Sequence, residues 1–491
     1  MDRSINQQNL LLGALFLGGM IPRLYTMGSP LAGDEAVTFN HYVHLNFSEI
    51  LFNYPDSNQH PLFSILSNIC LLFFGDHEVA FRLPSLVAGV LAIPLTFYTC
   101  CSLGFSRFIS FLSSLLLALY VPHIAYSQEG RGYALTVFIA LCLIFCSINI
   151  LGSQKLWLWR ILLIVSATSM VIALPSNAFF VAGAAGFCLV LWTFNQSENK
   201  ENQKAHSQYL IPYILSSLLI VAYLLINLGD LQLSAQANSR GNIHWQHFQE
   251  IAEFLVSPWG SWLYPFFIVG FFSGFKKSVR YGFLVLFLIP TALSLISGIV
   301  GFARVYIYLS PFFFIIVAFG IHYLYEKTKR VNKNFAYVFL GFLAFWIFYQ
   351  PIVSLVHYYP KRVHVGNGFM KDAIKLQEYF NNKPLSTLPV IMNAATGRSI
   401  LVHYMGHNIG QRMNAFVAGK DIEKILFLCK TGLPPYKYPL HPLISEIPTP
   451  KIGENVSLVK SFESFEVFEW DVELSRVSSA ENSLDFESLV A

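Results

Sequence analysis

Between two apolar stretches, Phe108–Ala125 and Ala134–Leu151, lies the run Tyr126-Ser127-Gln128-Glu129-Gly130-Arg131-Gly132-Tyr133. It sets a carboxylate, a guanidinium and two phenols at what reads as a membrane boundary. Ionisable groups at membrane depth are costly, so each is a functional candidate. A second acidic pair, Asp34-Glu35, follows the first apolar stretch, where a carboxylate can take a proton from an incoming hydroxyl. His60-Pro61 opens a short apolar segment, while Arg82 and Arg304 open longer ones, the latter followed by Tyr306 and Pro311. The planar fork of arginine grips phosphate oxygens in pairs, so arginines at such mouths suit an anion. Each group also has a plainer reading. Asp34-Glu35 can be a solvated pair or a helix start, Glu129 and Arg131 a self-paired cap, and His60 a structural imidazole. The arginines can be cations snorkelling to lipid headgroups.

The elements that position these groups follow from composition. The chain has 491 residues, 54% hydrophobic and 12% charged, with mean hydropathy +0.51. Soluble domains carry roughly 25% charged residues. Half that value, with repeated apolar runs near the ~20 residues that cross a bilayer, predicts an α-helical polytopic membrane protein. The runs fall at about 8–27, 80–103, 107–126, 133–151, 156–173, 177–194, 209–228, 258–275, 282–299, 304–325 and 335–356, about eleven transmembrane helices. The first is read as a retained span, because Ile21-Pro22-Arg23 follows it rather than a small-residue cleavage site. Pro61–Phe74, at fourteen residues, is too short to cross and is read as re-entrant or interfacial.

Charge orients the spans. With the N-terminus inside, the inner loops hold Arg3, Arg107, Lys155, Arg160, Lys200, Lys204, Lys276, Lys277, Arg280, Lys327, Lys329, Arg330 and Lys333. The outer side holds only Arg23, Arg82, Arg131, Arg240 and Arg304. That asymmetry matches the positive-inside rule and puts every candidate group outside. The five outer arginines run against the bias, so each needs a reason. The long first outer loop, 28–79, contains an expected interfacial helix over Ala36–Phe52, and Ile243–Val256 is expected to be similar.

Residues 1–356 are thus expected to form the transmembrane catalytic domain and 357–491 an outer soluble α/β domain. In the latter, Asn367–Phe380 reads as a helix, as does the chain from Gly397, and Leu388–Asn393, Ile425–Cys429, Val456–Lys460 and Glu466–Trp470 read as strands. The last fifteen residues read as disordered. Six of seven cysteines lie in apolar segments and read as small hydrophobes. A net charge of +4 suggests no nucleic-acid partner, and no Gly-rich or Walker loop suggests a soluble nucleotide donor. Carboxylates and arginines together at a lipid boundary fit transfer of a group from a lipid phosphate to an outer acceptor.

The ordered set Gly33-Asp34-Glu35, His60-Pro61-Leu62, Arg82-Leu83-Pro84-Ser85 and Tyr126–Tyr133 resembles the GT-C class of membrane glycosyltransferases. The resemblance is to its protein-mannosyltransferase-like and lipopolysaccharide-sugar-transferase-like branch. It implies a GT-C-like fold and inverting transfer of a sugar from a polyprenyl-phosphate donor to a lipid, glycan or protein acceptor. It also implies a bacterial inner-membrane setting with the site facing the periplasm (the lumen in eukaryotic members). Carried over, Asp34 is the general base with Glu35 beside it, and Glu129 orients an acceptor, a sugar or a metal. His60, Arg82, Arg131 and Arg304 fall on the phosphate and sugar side, with Tyr126, Gln128, Tyr133 and Tyr306 as further substrate contacts. Asp34 and Glu129 are candidate ligands for a divalent metal, Glu35 and His60 further hard donors, although some members of the class work without one. Gly130 and Gly132 replace Ala and a larger residue of the common pattern, which implies a more mobile loop. Two rivals stay open: a transporter or flippase of a lipid-linked or small polar substrate, and a ligase or polymerase with a pyrophosphate-linked donor.

Overall fold

A computed structural model describes residues 2–150, 156–198, 206–237, 245–358, 375, 377–379, 390–392, 403, 422–430, 456–461 and 465–474. Lys155, Lys200, Lys204 and Arg240 of the charge comparison lie outside these residues, as do the last fifteen. The chain divides into two compact units: residues 1–27 with 42–363, and residues 28–41 with 364–491.

The first unit is helical. Its early helices are α1 (Asp2–Leu24), and, past a short helix α2 (Gly33–Thr38) that belongs to the second unit, α3 (Phe47–Phe52), α4 (Pro61–Phe74) and α5 (Glu78–Ser102). Next come α6 (Arg107–Leu119), α7 (Val121–Ser127), α8 (Tyr133–Asn149), α9 (Leu156–Ala173) and α10 (Ala178–Glu198). The run closes with α11 (His206–Ile226), α12 (Leu228–Ala237), α13 (Trp245–Val256), α14 (Leu263–Phe272), α15 (Lys277–Ser297), α16 (Ser310–Val331) and α17 (Lys333–Val353). Among the described residues, six helices are long and apolar enough to cross a membrane, and three bent pairs pass the same test. Leu10–Leu24, Pro61–Phe74 and Tyr133–Asn149 are shorter apolar helices. The protein is therefore an integral, multi-pass helical membrane protein.

One expected span, 107–126, is broken, with α6 and α7 bent by 62°, while bends of 71° between α11 and α12 and of 74° between α13 and α14 fall at the ends of the spans expected over 209–228 and 258–275. At the first break Pro122 has no N–H to give the Ala118 carbonyl, so the ladder stops and Tyr120 leaves helical geometry with ψ 105°. At the third, Gly260 takes φ +72°, a conformation glycine adopts at little cost.

The expected interfacial helix over Ala36–Phe52 is not one helix. A π turn (Phe39–Val43) separates α2 from α3, and Asn46 starts α3 with its N–H on the Glu49 carboxylate at 3.0 Å. Ala36, Val43 and Ile50 are fully buried, while Phe47 and Phe52 are exposed.

Close packing depends on two glycines where α14 crosses α16. A Cβ on Gly270 would overlap the Ile316 carbonyl oxygen, and one on Gly320 would overlap that of Phe266. Small residues at a helix crossing let membrane helices meet backbone to backbone. Gly320→Ala is expected to cost about 1–3 kcal/mol through forced separation. It would be read as a lowered unfolding midpoint in detergent, and an unchanged midpoint would contradict the packing described.

The second unit carries a four-stranded sheet in the order β1-β2-β4-β3, built from β1 (Val390–Met392), β2 (Ile422–Lys430), β3 (Val456–Ser461) and β4 (Phe465–Leu474). β1 runs parallel to β2, and the other pairings are antiparallel, with Phe427 opposite Phe468. All four strands lie where the sequence placed them. Of the helix expected over Asn367–Phe380, Lys375 and Gln377–Tyr379 are described and helical, and of that from Gly397, His403 is. Within this unit the Phe39 ring meets His403 edge-on, centroids 4.6 Å apart.

Candidate active site

The second candidate loop is fixed from behind by α1. Arg23, fully buried, donates to the carbonyls of Gly19 (2.6 Å), Ala118 (3.1 Å) and Leu117 (3.4 Å), to Ser127 Oγ (3.3 Å), and meets His123 Nδ1 at 2.9 Å. It thus supplies the Ala118 carbonyl with the donor that Pro122 lacks, at a helix C-terminus where a cation is favoured. In return, Gln128 Nε2 donates to the carbonyls of Pro22 (2.8 Å) and Ile124 (3.3 Å), and its Oε1 accepts from the N–H (2.9 Å) and hydroxyl of Thr26. The Gln128 amide, expected from the sequence as a substrate contact, ties α7 to the end of α1. Arg82, 1% exposed, plays a related part, donating to the carbonyls of Met27 (2.9 Å) and Thr26 (3.4 Å). These bonds give two outer arginines their reason.

Beyond this lock the chain turns tightly, with the Arg131 N–H on the Glu129 carbonyl at 2.7 Å. The two glycines serve close approach rather than mobility. A Cβ on Gly130 would overlap the Phe81 ring, and one on Gly132 would sit 3.0 Å from His60 Nδ1. Both glycines are buried.

Arg131, 1% exposed, is the hub. Its Nε donates to His60 Nε2 (3.0 Å), Nη1 to Asn58 Oδ1 (3.4 Å) and Nη2 to the Tyr133 hydroxyl (3.3 Å). Asn58 is oriented by Asp56, whose carboxylate accepts from the Asn58 side chain (3.0 Å) and backbone (3.2 Å), from Ser57 Oγ (3.3 Å) and from the Tyr42 hydroxyl (3.5 Å). Burial, with Asp56 beside it, raises the Tyr42 pKa, so the phenol stays a donor at neutral pH.

Arg304 reaches the same phenol from the 3-10 turn Ala303–Leu309, donating from Nε to the Tyr133 hydroxyl at 2.9 Å. Two guanidinium groups therefore share one oxygen, their nitrogens no more than about 6 Å apart. Tyr126 stacks edge-on against Tyr133, centroids 4.8 Å apart, and lies within electrostatic reach of Glu129, Arg304 and Arg131. Tyr306 turns elsewhere, its hydroxyl 3.1 Å from Ser294 Oγ, so it ties the turn to α15.

His60 is held neutral. Burial first, then Arg131, and to a smaller degree Arg304, lower its pKa well below the usual imidazole range. Below its unfolded value of about 6.5 the unfolded chain takes up a proton that the native imidazole refuses. The stability this gives is full above about pH 6.5 and is lost as pH falls toward the native pKa. The unfolding midpoint in detergent is therefore expected to drop between pH 7.5 and 5.5, and to drop less in His60→Gln. Equal pH dependence in both proteins would contradict the neutral assignment.

The acidic candidates belong to different units. Glu129, 4% exposed, is in the first unit beside the cation pair's loop. Asp34 (8% exposed) and Glu35 (fully buried) belong to the second. The Glu35 carboxylate accepts the Ala32 N–H at 2.9 Å, the return bond of a capping box, so it starts α2 as the plainer reading allowed. Among the described residues no three His, Cys, Asp or Glu side chains come together as a metal site requires, and neither Asp34 nor Glu129 joins such a group. Asp56 and Asn58 were missed from sequence; the run Pro55-Asp56-Ser57-Asn58 has turn composition and reads as a loop.

The same helical arrangement occurs in known enzymes. ArnT from Cupriavidus metallidurans in the apo state matches with TM-score 0.54 and 11% identity, over 95% of this chain and 98% of that one. ArnT bound to undecaprenyl phosphate gives 0.50 and 12%, over 94% and 97%. AglB, the oligosaccharyltransferase of Archaeoglobus fulgidus in complex with an inhibitory peptide and a dolichol-phosphate, gives 0.53 and 12%, over 86% and 69%. At these identities the likeness is one of fold, and the fold is that of the GT-C membrane glycosyltransferases. Residues 38–234 match the family model of the dolichyl-phosphate-mannose-protein mannosyltransferases. No curated protein matches the chain.

Proposed function

We propose that this protein transfers a sugar from a polyprenyl-phosphate donor to a hydroxyl of a lipid, glycan or protein acceptor, on the periplasmic face of a bacterial inner membrane. The observation that carries the donor assignment is the convergence of Arg131 and Arg304 on the Tyr133 hydroxyl. A phosphate ester held there accepts from both guanidinium groups, and the pair stabilises the charge that grows on the leaving oxygen. Support comes from ArnT and AglB, which have been seen with undecaprenyl phosphate and dolichol-phosphate.

In the reaction, Asp34 takes the proton of the acceptor hydroxyl and the freed oxygen attacks the anomeric carbon. The bond from that carbon to the phosphate oxygen breaks, the configuration inverts, and polyprenyl phosphate departs with the electron pair. Asp34 is assigned from the Gly33-Asp34-Glu35 motif, and Glu129 is assigned to orient sugar or acceptor. No three His, Cys, Asp or Glu side chains gather among the described residues, and no step is routed through a metal. The outer-side assignment rests on the basic residues that crowd the opposite loops.

Binding of polyprenyl phosphate to purified protein tests the donor site. Wild type is expected to bind, and Arg304→Gln to bind about tenfold more weakly, the loss of one charge-assisted contact. Equal affinity in the two proteins would remove Arg304 from the phosphate site.

A further inference from the structure

Next to the cation pair, three buried polar atoms have no hydrogen-bond partner. They are Gln59 Oε1, Asn227 Oδ1 and the Tyr223 hydroxyl, on residues 0%, 2% and 6% exposed. Buried polar groups are nearly always satisfied, so three in one neighbourhood need an explanation. They frame a single segment. Gln59 Nε2 donates to the Ile50 carbonyl at 3.0 Å, and Asn227 Nδ2 to that of Leu51 at 3.4 Å. Tyr223 and Asn227 stand one turn apart, on one face of the helix that ends at the α11–α12 bend, and Asn227 Nδ2 also donates to the Tyr223 carbonyl at 3.0 Å. Asp230, just beyond the bend, accepts the Tyr54 N–H at 2.9 Å and anchors the middle of the segment. Tyr54, 4% exposed, joins the two regions, lying within electrostatic reach of Tyr223 on one side and of Tyr133 and Arg131 on the other.

We infer that Gln59, Tyr223 and Asn227 form a subsite for the sugar ring of the donor, beside the phosphate held by Arg131 and Arg304. The inference rests on the donor reading given above and adds to it the place and chemistry of sugar recognition. Two of the three orphans are amide oxygens, which accept only. A ligand that satisfies them must bring donors, and a neutral polyol does so through its hydroxyls. The phenol can give or take. A site built to bond hydroxyls discriminates strongly against a ligand lacking them, because its own groups are then left unpaired.

The test compares a bare lipid phosphate with sugar-bearing ones. Full-length protein in nanodiscs is titrated with polyprenyl phosphate and with polyprenyl phosphates carrying mannose, glucose or arabinose, the tightest of these serving as donor. Tyr223→Phe removes only the orphan hydroxyl, and Gln59→Leu removes an orphan carbonyl. Each is expected to raise the Kd for the donor about tenfold while leaving that for the bare lipid within about twofold, which also shows that the variant is folded. Variants that shift neither lipid, or both together, overturn the subsite and leave the phosphate reading standing. A wild type that binds the donor no better than the bare lipid does the same. A wild type that binds neither lipid overturns both readings.

Discussion

Arg131→Lys is expected to lower sugar transfer by about 10²–10³-fold, the range for losing a donor aimed at developing charge. Lysine keeps the positive charge but not the fork. It cannot hold His60, Asn58 and Tyr133 together at the distances Arg131 spans. The loss should therefore fall on kcat more than on donor affinity, since a single ammonium still attracts a phosphate. Single-turnover transfer with saturating donor measures this directly. A variant within a few-fold of wild type would mean that charge alone matters at this position. Folding can be checked independently, because α7 remains tied to α1 by Arg23 and Gln128, which the change does not touch.

Asp34→Asn is the second large effect, an expected loss of about 10²–10⁴-fold, the usual contribution of a general base. Asparagine keeps the shape of the carboxylate but cannot take the acceptor proton. The Asp34 carbonyl accepts from the Thr38 hydroxyl at 3.0 Å, and the Glu35 carboxylate starts the helix; both bonds survive the substitution. Protein yield and polyprenyl-phosphate binding should thus be unchanged. Retained turnover in this variant would remove Asp34 as the base.

The helices were legible because membrane-crossing segments must satisfy their own backbone and stay apolar for a fixed length. The strands of the second unit were legible from short runs bounded by turn residues. What escaped was set by contacts between distant segments. Pro122 gave a local signal for the α6–α7 break, but the buried cation that makes the break tolerable comes from Arg23, about a hundred positions earlier in the chain. The ties of the Gln128 amide to Pro22 and Thr26 have no sequence signal, and the Glu35 cap was hidden because its partner, Ala32, has none of the Ser or Thr character that marks a capping box. Gly130 and Gly132 suggested mobility, yet Phe81 and His60 fill the space a side chain would need. Of the site itself, His60, Tyr126, Arg131, Tyr133 and Arg304 were found from residue type at span mouths, and the structure joins them. Asp56 and Asn58, hidden in a polar turn, became visible only through their bonds to Tyr42 and Arg131.

The most direct test of the central claim is sugar transfer from a panel of polyprenyl-phosphate sugars by purified protein, reading lipid phosphate released per turnover. Wild type is expected to release polyprenyl phosphate from at least one donor, and Arg131→Lys and Asp34→Asn to release it hundreds-fold more slowly or not at all. No release from any monophosphate donor by folded wild type that binds polyprenyl phosphate would contradict the claim that this anion site serves glycosyl transfer.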